Sequence, residues 1–314
     1  MSSEIYDVII IGCGPAGASA AIYAARKKLR ALVISRDLGG QLLIAGRLEN
    51  YLGFIGGESF NLIEIIERQL RELNVEIVLN EVKKVEKMNE IFKVITDKEA
   101  FLGRSIIATG GSIPKKLGIP GEEDFIGRGV SYCAICDAPF SRNRTAAVIG
   151  GGNSAFHALL TVAKYANKVY LIHRRDSFRA DPILIDEARK LNNVEFLMNS
   201  TVEKIFGKNK LEGIVIKNLL DGKTYNLNMD VIYIEIGREV NIDYIKHLVK
   251  TDESGYIIVD KHQRTSCEGI FAAGDITDRP YKQAIVAAGD GAVAALSAYD
   301  YIVYSIKNLT SPSK

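Results

Sequence analysis

The chain has 314 residues, 47% of them hydrophobic and 25% charged. That balance excludes a disordered chain and, at about one domain per 150 residues, points to two globular domains. Forty Lys and Arg against 38 Asp and Glu leave a net charge of +2 without any charge block, which makes nucleic acid and acidic membranes poor main partners. Four cysteines are too few for a disulfide-stapled scaffold, and no apolar run approaches the ~20 residues that span a bilayer. The one skewed count is 28 glycines against 7 prolines.

In chain order, Asp7 to Ile11 reads as a strand buried on both faces, because its apolar run is nearly continuous. Glycines follow at 12, 14 and 17, then an Ala-rich helix from about Ala18 to Lys28 and a second strand over 31–34. The start Met-Ser-Ser-Glu enters this unit at once, with no basic region or cleavage site, so a cytoplasmic location is expected. Strands are predicted over 92–96 and 104–110, followed by a Gly- and Pro-containing loop at 110–121 that reads as a domain crossover. The opening plan then recurs, with a strand at 146–149, a turn at 150–153, a helix at 155–166 and a strand at 168–172. Further strands are predicted over 211–217 and 230–236, and a long Ala-rich helix over about 283–305. The fold class is therefore α/β, with two Rossmann-like nucleotide-binding units whose glycine turns begin at Gly12 and Gly150.

Each turn sits directly after a strand and opens a helix, where a G-x-G-x-x-G pattern carries physical meaning. The first glycine permits the tight turn, the second lets a pyrophosphate approach the backbone, and the third lets the helix pack closely. Gly12, Gly14 and Gly17 take these places in the first copy; Gly150, Gly152 and Ala155 take them in the second. Tight turns without a ligand are the alternative. Beyond the second copy, His173-Arg174-Arg175 with Arg179 places three guanidiniums where the 2′-phosphate of NADP would lie; a solvated basic turn is the competing reading. The first copy ends in Ser35-Arg36-Asp37, with no carboxylate at the usual ribose position, and does not by itself declare FAD.

Cys133 and Cys136 form a C-x-x-C in an α/β chain, a pattern that suits redox chemistry through a short-loop disulfide. Two unpaired structural cysteines remain possible, whereas zinc would need further ligands that the sequence does not supply at metal-site spacing. Asp137 follows directly and would shuttle a proton to a thiolate if burial raised its pKa, or else cap a helix. Cys13, inside the first glycine turn, reads as a packing residue, and Cys267 receives no role.

Together the motifs resemble the low-molecular-weight thioredoxin reductases. The stretches that carry the likeness are Gly12-Cys13-Gly14-Pro15-Ala16-Gly17, Gly39-Gly40-Gln41-Leu42, 49–54 (Glu-Asn-Tyr-Leu-Gly-Phe) and Ala108-Thr109-Gly110. Ser131 to Asp137, Gly150 to Ala155, His173 to Ala180, Gly274-Asp275 and Gln283-Ala284 complete the set. The resemblance implies a discontinuous FAD domain over 1–115 and 246–314, with an NADP-type domain over 116–245 inserted and carrying the redox-active disulfide. It implies FAD held by Gly12, Gly14, Pro15, Ala16, Gly17, Gly40, Gln41, Leu42, Asn50, Thr109, Gly110, Gly274, Asp275, Gln283 and Ala284. NADPH would be held by Gly150, Gly152, Asn153, Ser154, Ala155, His173, Arg174, Arg175 and Arg179. By this likeness, hydride passes from NADPH to the flavin, electrons reduce Cys133–Cys136, Cys136 faces the flavin, Cys133 attacks the partner and Asp137 is the acid–base residue. The inserted domain would rotate about crossovers near 110–121 and 237–246. The implied partner is thioredoxin or a thioredoxin-like or glutaredoxin-like protein, and the implied assembly a homodimer.

Some positions depart from the family pattern. Phe156, His157 and Ala158 follow the second turn where the family carries two glutamates, Ala138-Pro139 follow Asp137 in place of Gly-Phe, Lys282 replaces an arginine, and Arg238-Glu239-Val240 lacks a proline. The alternatives to an NADPH-fed reductase are a dithiol oxidase on the same fold, a reductase fed by another donor, and a non-catalytic flavin-binding redox sensor.

Overall fold

Strand β1 (Ile5–Ile11), helix α1 (Pro15–Arg26) and strand β2 (Ala31–Ser35) form the opening β-α-β unit of the computed structural model, which describes residues 4–45 and 47–310. The opening Met-Ser-Ser lies outside them. The helix begins three residues earlier than the Ala-rich stretch suggests. Pro15 sits in its first turn, where a missing N–H is harmless, and Gly14 caps it. Helix α2 (Ser59–Glu72) and strand β3 (Glu76–Leu79) follow, then β4 (Val82–Met88), β5 (Ile91–Thr96) and β6 (Ala100–Ala108).

The chain divides into two compact units, one of Met1–Ile113 with Val240–Lys314, the other of Pro114–Glu239. In the first, the strand order β3-β2-β1-β6-β5-β4 forms one sheet, and the short strand Ile270–Ala272 also pairs with β6. β6 serves two purposes. Its first half pairs antiparallel with β5, and its last three residues pair parallel with Ile270–Ala272. Burial follows this change of partners: residues 100–105 alternate, as in a sheet covered on one face, and 105–108 are continuously buried. The strand read over 104–110 therefore starts earlier and ends at Ala108, where the Thr109 hydroxyl turns back to donate to the Ile11 carbonyl at 2.9 Å.

One face of the sheet packs Ile9, Ile11, Leu32, Ile34 and Ile106 against Phe92, Val94 and the segment containing Ile242, Ile245 and Ile257. The other packs Val8, Ile10, Val33 and Ile107 on the alanines of α1 and of the long final helix Ala284–Thr310. Small residues let those two helices approach closely, since a Cβ on Gly291 would lie 2.0 Å from the Ala16 carbonyl oxygen.

The second unit carries β7 (Val130–Ser131), helix α3 (Ala134–Asp137), β8 (Thr145–Ile149), α4 (Asn153–Val162), β9 (Lys168–Ile172), α5 (Pro182–Arg189) and β10 (Val194–Leu197). A meander, β11 (Ser200–Gly207), β12 (Leu211–Asn218) and β13 (Thr224–Asn228), precedes β14 (Val231–Ile234). The parallel sheet runs β7-β14-β8-β9-β10, and β11-β12-β13 form a separate antiparallel sheet. α4 and α5 cover one face of the parallel sheet through Phe156, Leu159 and Leu184. The meander covers the other through Val202, Ile205, Ile214 and Ile216. Both units thus share one plan, a sheet with parallel central strands, helices on one side and other chain on the other. It leaves the carboxyl ends of the central strands as the open crevice.

Candidate active site

Both glycine turns lie at the carboxyl ends of their first parallel strands. Gly12 has φ +107°, donates its N–H to the Ile34 carbonyl at 2.8 Å, and would place a Cβ 2.5 Å from the Thr109 carbonyl oxygen. A Cβ on Gly17 would lie 1.9 Å from the Gly12 carbonyl oxygen, so α1 packs onto the turn only because residue 17 has none. Gly14 differs, because a Cβ there meets nothing closer than the Gly39 carbonyl oxygen at 3.8 Å. The second turn repeats the contrast. Gly150 would place a Cβ 2.4 Å from the Glu235 carbonyl oxygen and 2.7 Å from the Ala155 side chain, whereas Gly152 meets nothing within 4 Å. The protein's own packing explains the outer glycines and leaves the middle ones unexplained, and both middle glycines cap helix N-termini whose first N–H groups lack intrahelical acceptors. These are the positions a pyrophosphate would approach. The residues present therefore fit dinucleotides at both turns.

In the first unit other predicted residues converge on this crevice. Gln41 donates to Asp275 Oδ2 at 3.0 Å, Ser112 reaches the same oxygen at 3.4 Å, and Asn50 donates to Gln283 at 3.1 Å. Residues more than 230 positions apart in sequence thus pair in space. The 39–42 loop closes on the turn: Gly39 donates to the Cys13 carbonyl, Asp37 accepts from the Gly40 N–H, and Leu42 is buried. Gly274, at φ +77°, packs beside Ala16, where a Cβ would lie 2.9 Å from the alanine methyl group. Gly110 lies beside Ile276, and Gln283 precedes the final helix, which begins at Ala284. Cys13 is buried, donates its backbone N–H to Ser35 Oγ at 3.0 Å, and has its thiol pushed up to about 12 by burial, with Asp37 adding to the shift. It is a packing residue and not a nucleophile at neutral pH.

In the second unit Cys133 and Cys136 are disulfide-bonded. Cys133 caps the single turn of α3, its sulfur accepting from the Cys136 N–H at 3.3 Å. Cys136 is the more exposed of the two. Ser131, at the end of β7, donates its hydroxyl to Asp137 Oδ2 at 2.6 Å and accepts the Cys133 N–H at 3.0 Å. Tyr233 on β14 donates to the Asp137 carbonyl at 2.8 Å and pairs with the Ser141 hydroxyl at 2.8 Å. Burial raises the Asp137 pKa, and the Ser131 hydroxyl opposes that rise. Asp137 does not cap the following turn with its side chain. A carboxyl group raised by burial and held beside a disulfide is suited to proton transfer.

The basic turn after β9 is laced to the glycine turn. The His173 ring lies against Gly151, where a Cβ would come within 2.2 Å, and its Nε2 pairs with the Ser177 carbonyl at 3.1 Å. Burial lowers the His173 pKa, so the ring is neutral at physiological pH. Arg179 donates its backbone N–H to the Gly151 carbonyl at 2.9 Å, and the side chains of Arg174, Arg175 and Arg179 are exposed. The Asn153 side chain is engaged in a reciprocal pair with Asp181 at 2.8 and 2.9 Å, while Ser154 is exposed at the start of α4. His157 is exposed and Ala158 buried. Sequence reasoning missed Ser131, Tyr233, Asp181 and Glu235. Of these, Ser131 lay within a stretch that carries the family likeness, and Glu235 stood out as a lone charge inside the apolar run 231–236.

The profile of the family described as "Pyridine nucleotide-disulphide oxidoreductase" matches residues 6–291. A thioredoxin reductase from Treponema pallidum is 41% identical, with 95% of this chain and 97% of the relative covered. The crystal structure of thioredoxin reductase from Streptococcus pyogenes superposes with a TM-score of 0.91 at 36% identity, covering 96% of this chain and all of the other. A ferredoxin-flavin thioredoxin reductase from Clostridium acetobutylicum matches with a TM-score of 0.54 at 33% identity, covering 97% and 99% of the two chains. The chain belongs to the pyridine nucleotide-disulphide oxidoreductases, within the thioredoxin reductase family.

Proposed function

We propose that this flavoprotein disulfide reductase passes electrons from NADPH through FAD and the Cys133–Cys136 disulfide to thioredoxin or a thioredoxin-like or glutaredoxin-like protein. FAD binds in the Gly12–Gly17 crevice of the first unit, with Gln41, Asn50, Thr109, Asp275 and Gln283 around it, and NADPH binds at Gly150–Ala155 with the three arginines. When bound, this pair supplies hydride transfer from the nicotinamide and the two electrons that the disulfide accepts.

Reduction breaks the Cys133–Cys136 bond and leaves two sulfurs that need a proton between them. Asp137, whose proton affinity burial raises, delivers it. The Cys133 thiolate then attacks a partner disulfide, forming a mixed disulfide, and Cys136 resolves it, releasing the reduced partner and restoring the starting bond. Exposed Ile135 and Phe140, at 62% and 50% accessible, flank the disulfide and offer apolar contacts to the partner. The observation that carries this reading is the disulfide held beside Asp137, in the same unit as the arginine-flanked glycine turn.

Anaerobic titration tests it. NADPH bleaches the flavin, and oxidised thioredoxin restores the absorbance. We place the enzyme in the cytoplasm as a homodimer, and among the described residues no helix is long and apolar enough to cross a membrane.

A second reading keeps the fold and changes the donor or the direction. It is favoured by His157 and Ala158 on α4, where the family carries glutamates, and it includes a dithiol oxidase. Stopped-flow reduction by NADPH, NADH and a dithiol separates the two: a flavin bleached by the dithiol alone selects the second.

A further inference from the structure

The proposed NADPH site has two halves on separate stretches of chain, and hydrogen bonds stitch them together. The basic turn over 173–181 runs from the end of β9 to the start of α5 without helix or strand of its own. Its near end is fixed at His173, whose carbonyl accepts the Ser200 N–H at 2.9 Å and whose ring lies against Gly151. At its far end the Arg179 N–H donates to the Gly151 carbonyl at 2.9 Å. Two residues on, Asp181 forms a reciprocal pair with Asn153, the first residue of α4. The Asp181 N–H donates to Asn153 Oδ1 at 2.8 Å, and its Oδ2 accepts from Asn153 Nδ2 at 2.9 Å.

Local folding does not account for this pair. An aspartate before Pro182 is the ordinary pattern of a helix start, in which the carboxylate accepts from its own helix. Here the Asp181 side chain makes no such cap on α5 and turns to α4 instead. Both Asp181 and Asn153 are exposed, so the pair buries no core and contributes little to stability. It also sets a negative charge beside the helix N-terminus at Gly152, where it opposes the binding of a phosphate.

We propose that Asp181 is a specificity-determining positioning residue: through Asn153 it fixes the spacing between the Gly150–Gly152 turn and Arg174, Arg175 and Arg179, so that one dinucleotide meets both. The proposal rests on the NADPH reading of this site. The physical reason is entropic. A pyrophosphate at the glycine turn needs that turn alone, whereas a 2′-phosphate must also find the guanidiniums. Arginines already held at the right spacing receive it without the cost of ordering the turn, and a turn released at its far end incurs that cost on binding. The loss therefore falls on NADP and spares NAD.

The test measures equilibrium binding of NADP+ and NAD+ to the oxidised, flavin-loaded protein by calorimetry, without turnover. Selectivity is the Kd for NAD+ divided by the Kd for NADP+. Asp181→Asn keeps an acceptor for Asn153 and removes the charge, whereas Asp181→Ala removes both. Asp181→Asn should retain at least the wild-type selectivity, because losing a negative charge favours the more anionic ligand. Asp181→Ala should fall about fivefold below Asp181→Asn, the order of one hydrogen bond, through weaker NADP+ binding with NAD+ nearly unchanged. Equal selectivity in the two variants, or a loss shared by both nucleotides, overturns the proposal. Should Asp181→Ala fail to fold, Asn153→Ala breaks the same pair from α4 and must show that loss relative to wild type, or the proposal falls. A wild type that binds the two nucleotides equally defeats the NADPH reading, and the proposal with it.

Discussion

Ser131→Ala should shift the pH dependence of catalysis without touching either sulfur. The Ser131 hydroxyl donates to Asp137 at 2.6 Å and is the one group that lowers a pKa otherwise raised by burial. A hydrogen bond to a charged acceptor contributes about 1.5–3 kcal/mol, and about 1.4 kcal/mol corresponds to one pH unit in a titration. Removing the donor disfavours the ionised carboxylate, so Asp137 stays protonated to higher pH. As a general acid it then works further into the alkaline range, and the alkaline limb of kcat/KM for thioredoxin reduction moves up by about one to two pH units. The assay is the pH profile of NADPH oxidation at limiting thioredoxin, with Asp137→Asn alongside. The asparagine variant loses this limb and about 10²–10⁴ in rate, the usual range for general acid catalysis. An unmoved limb in Ser131→Ala, or one displaced to lower pH, would refute the assignment of Asp137 as the proton donor.

Gly14→Ala and Gly17→Ala separate ligand contact from packing. The first should fold normally and bind FAD at least tenfold more weakly, measured by flavin fluorescence, whereas the second should lower the melting temperature even of the apoprotein, since its methyl group would collide with the Gly12 carbonyl. Changing Arg174, Arg175 and Arg179 together to alanine should raise KM for NADPH more than tenfold and leave KM for NADH nearly unchanged, because only a 2′-phosphate requires the guanidiniums. Glu235→Gln should stabilise the fold at pH 8 relative to pH 5, read as a rise in the urea midpoint. The folded pKa, about 7, lies above the unfolded value, so the wild type loses stability as pH rises through that window, by about 2 kcal/mol. Cys13→Ala should leave turnover unchanged in a standard NADPH–thioredoxin assay, as expected for a buried thiol held protonated.

The nucleotide-binding plan was legible because its signals are local. A strand, a glycine turn and a helix follow within about fifteen residues, and their roles depend on backbone conformation that glycine alone tolerates, as at Gly12 and Gly150. The C-x-x-C with Asp137 was legible for the same reason, since its three groups share one turn. Pairings such as Gln41 with Asp275 and Asn50 with Gln283 were reached only through family likeness, because nothing in 230 intervening residues dictates them.

What the sequence by itself determined was the chemistry on offer: two dinucleotide turns, a redox-capable cysteine pair and a cluster of arginines. What only the tertiary structure decided was how the environments divide that chemistry. Asp137 and Glu235 are both carboxylates of the second unit. Asp137 is tied to Ser131, and burial raises the pKa of both. Asn153, read from the motif as a ligand, proves to be held by Asp181, while the neighbouring Gly152 is left open. The physical reason is that proton affinity and ligand access depend on desolvation and on partners brought in from other strands, and neither is written in the residues adjacent along the chain.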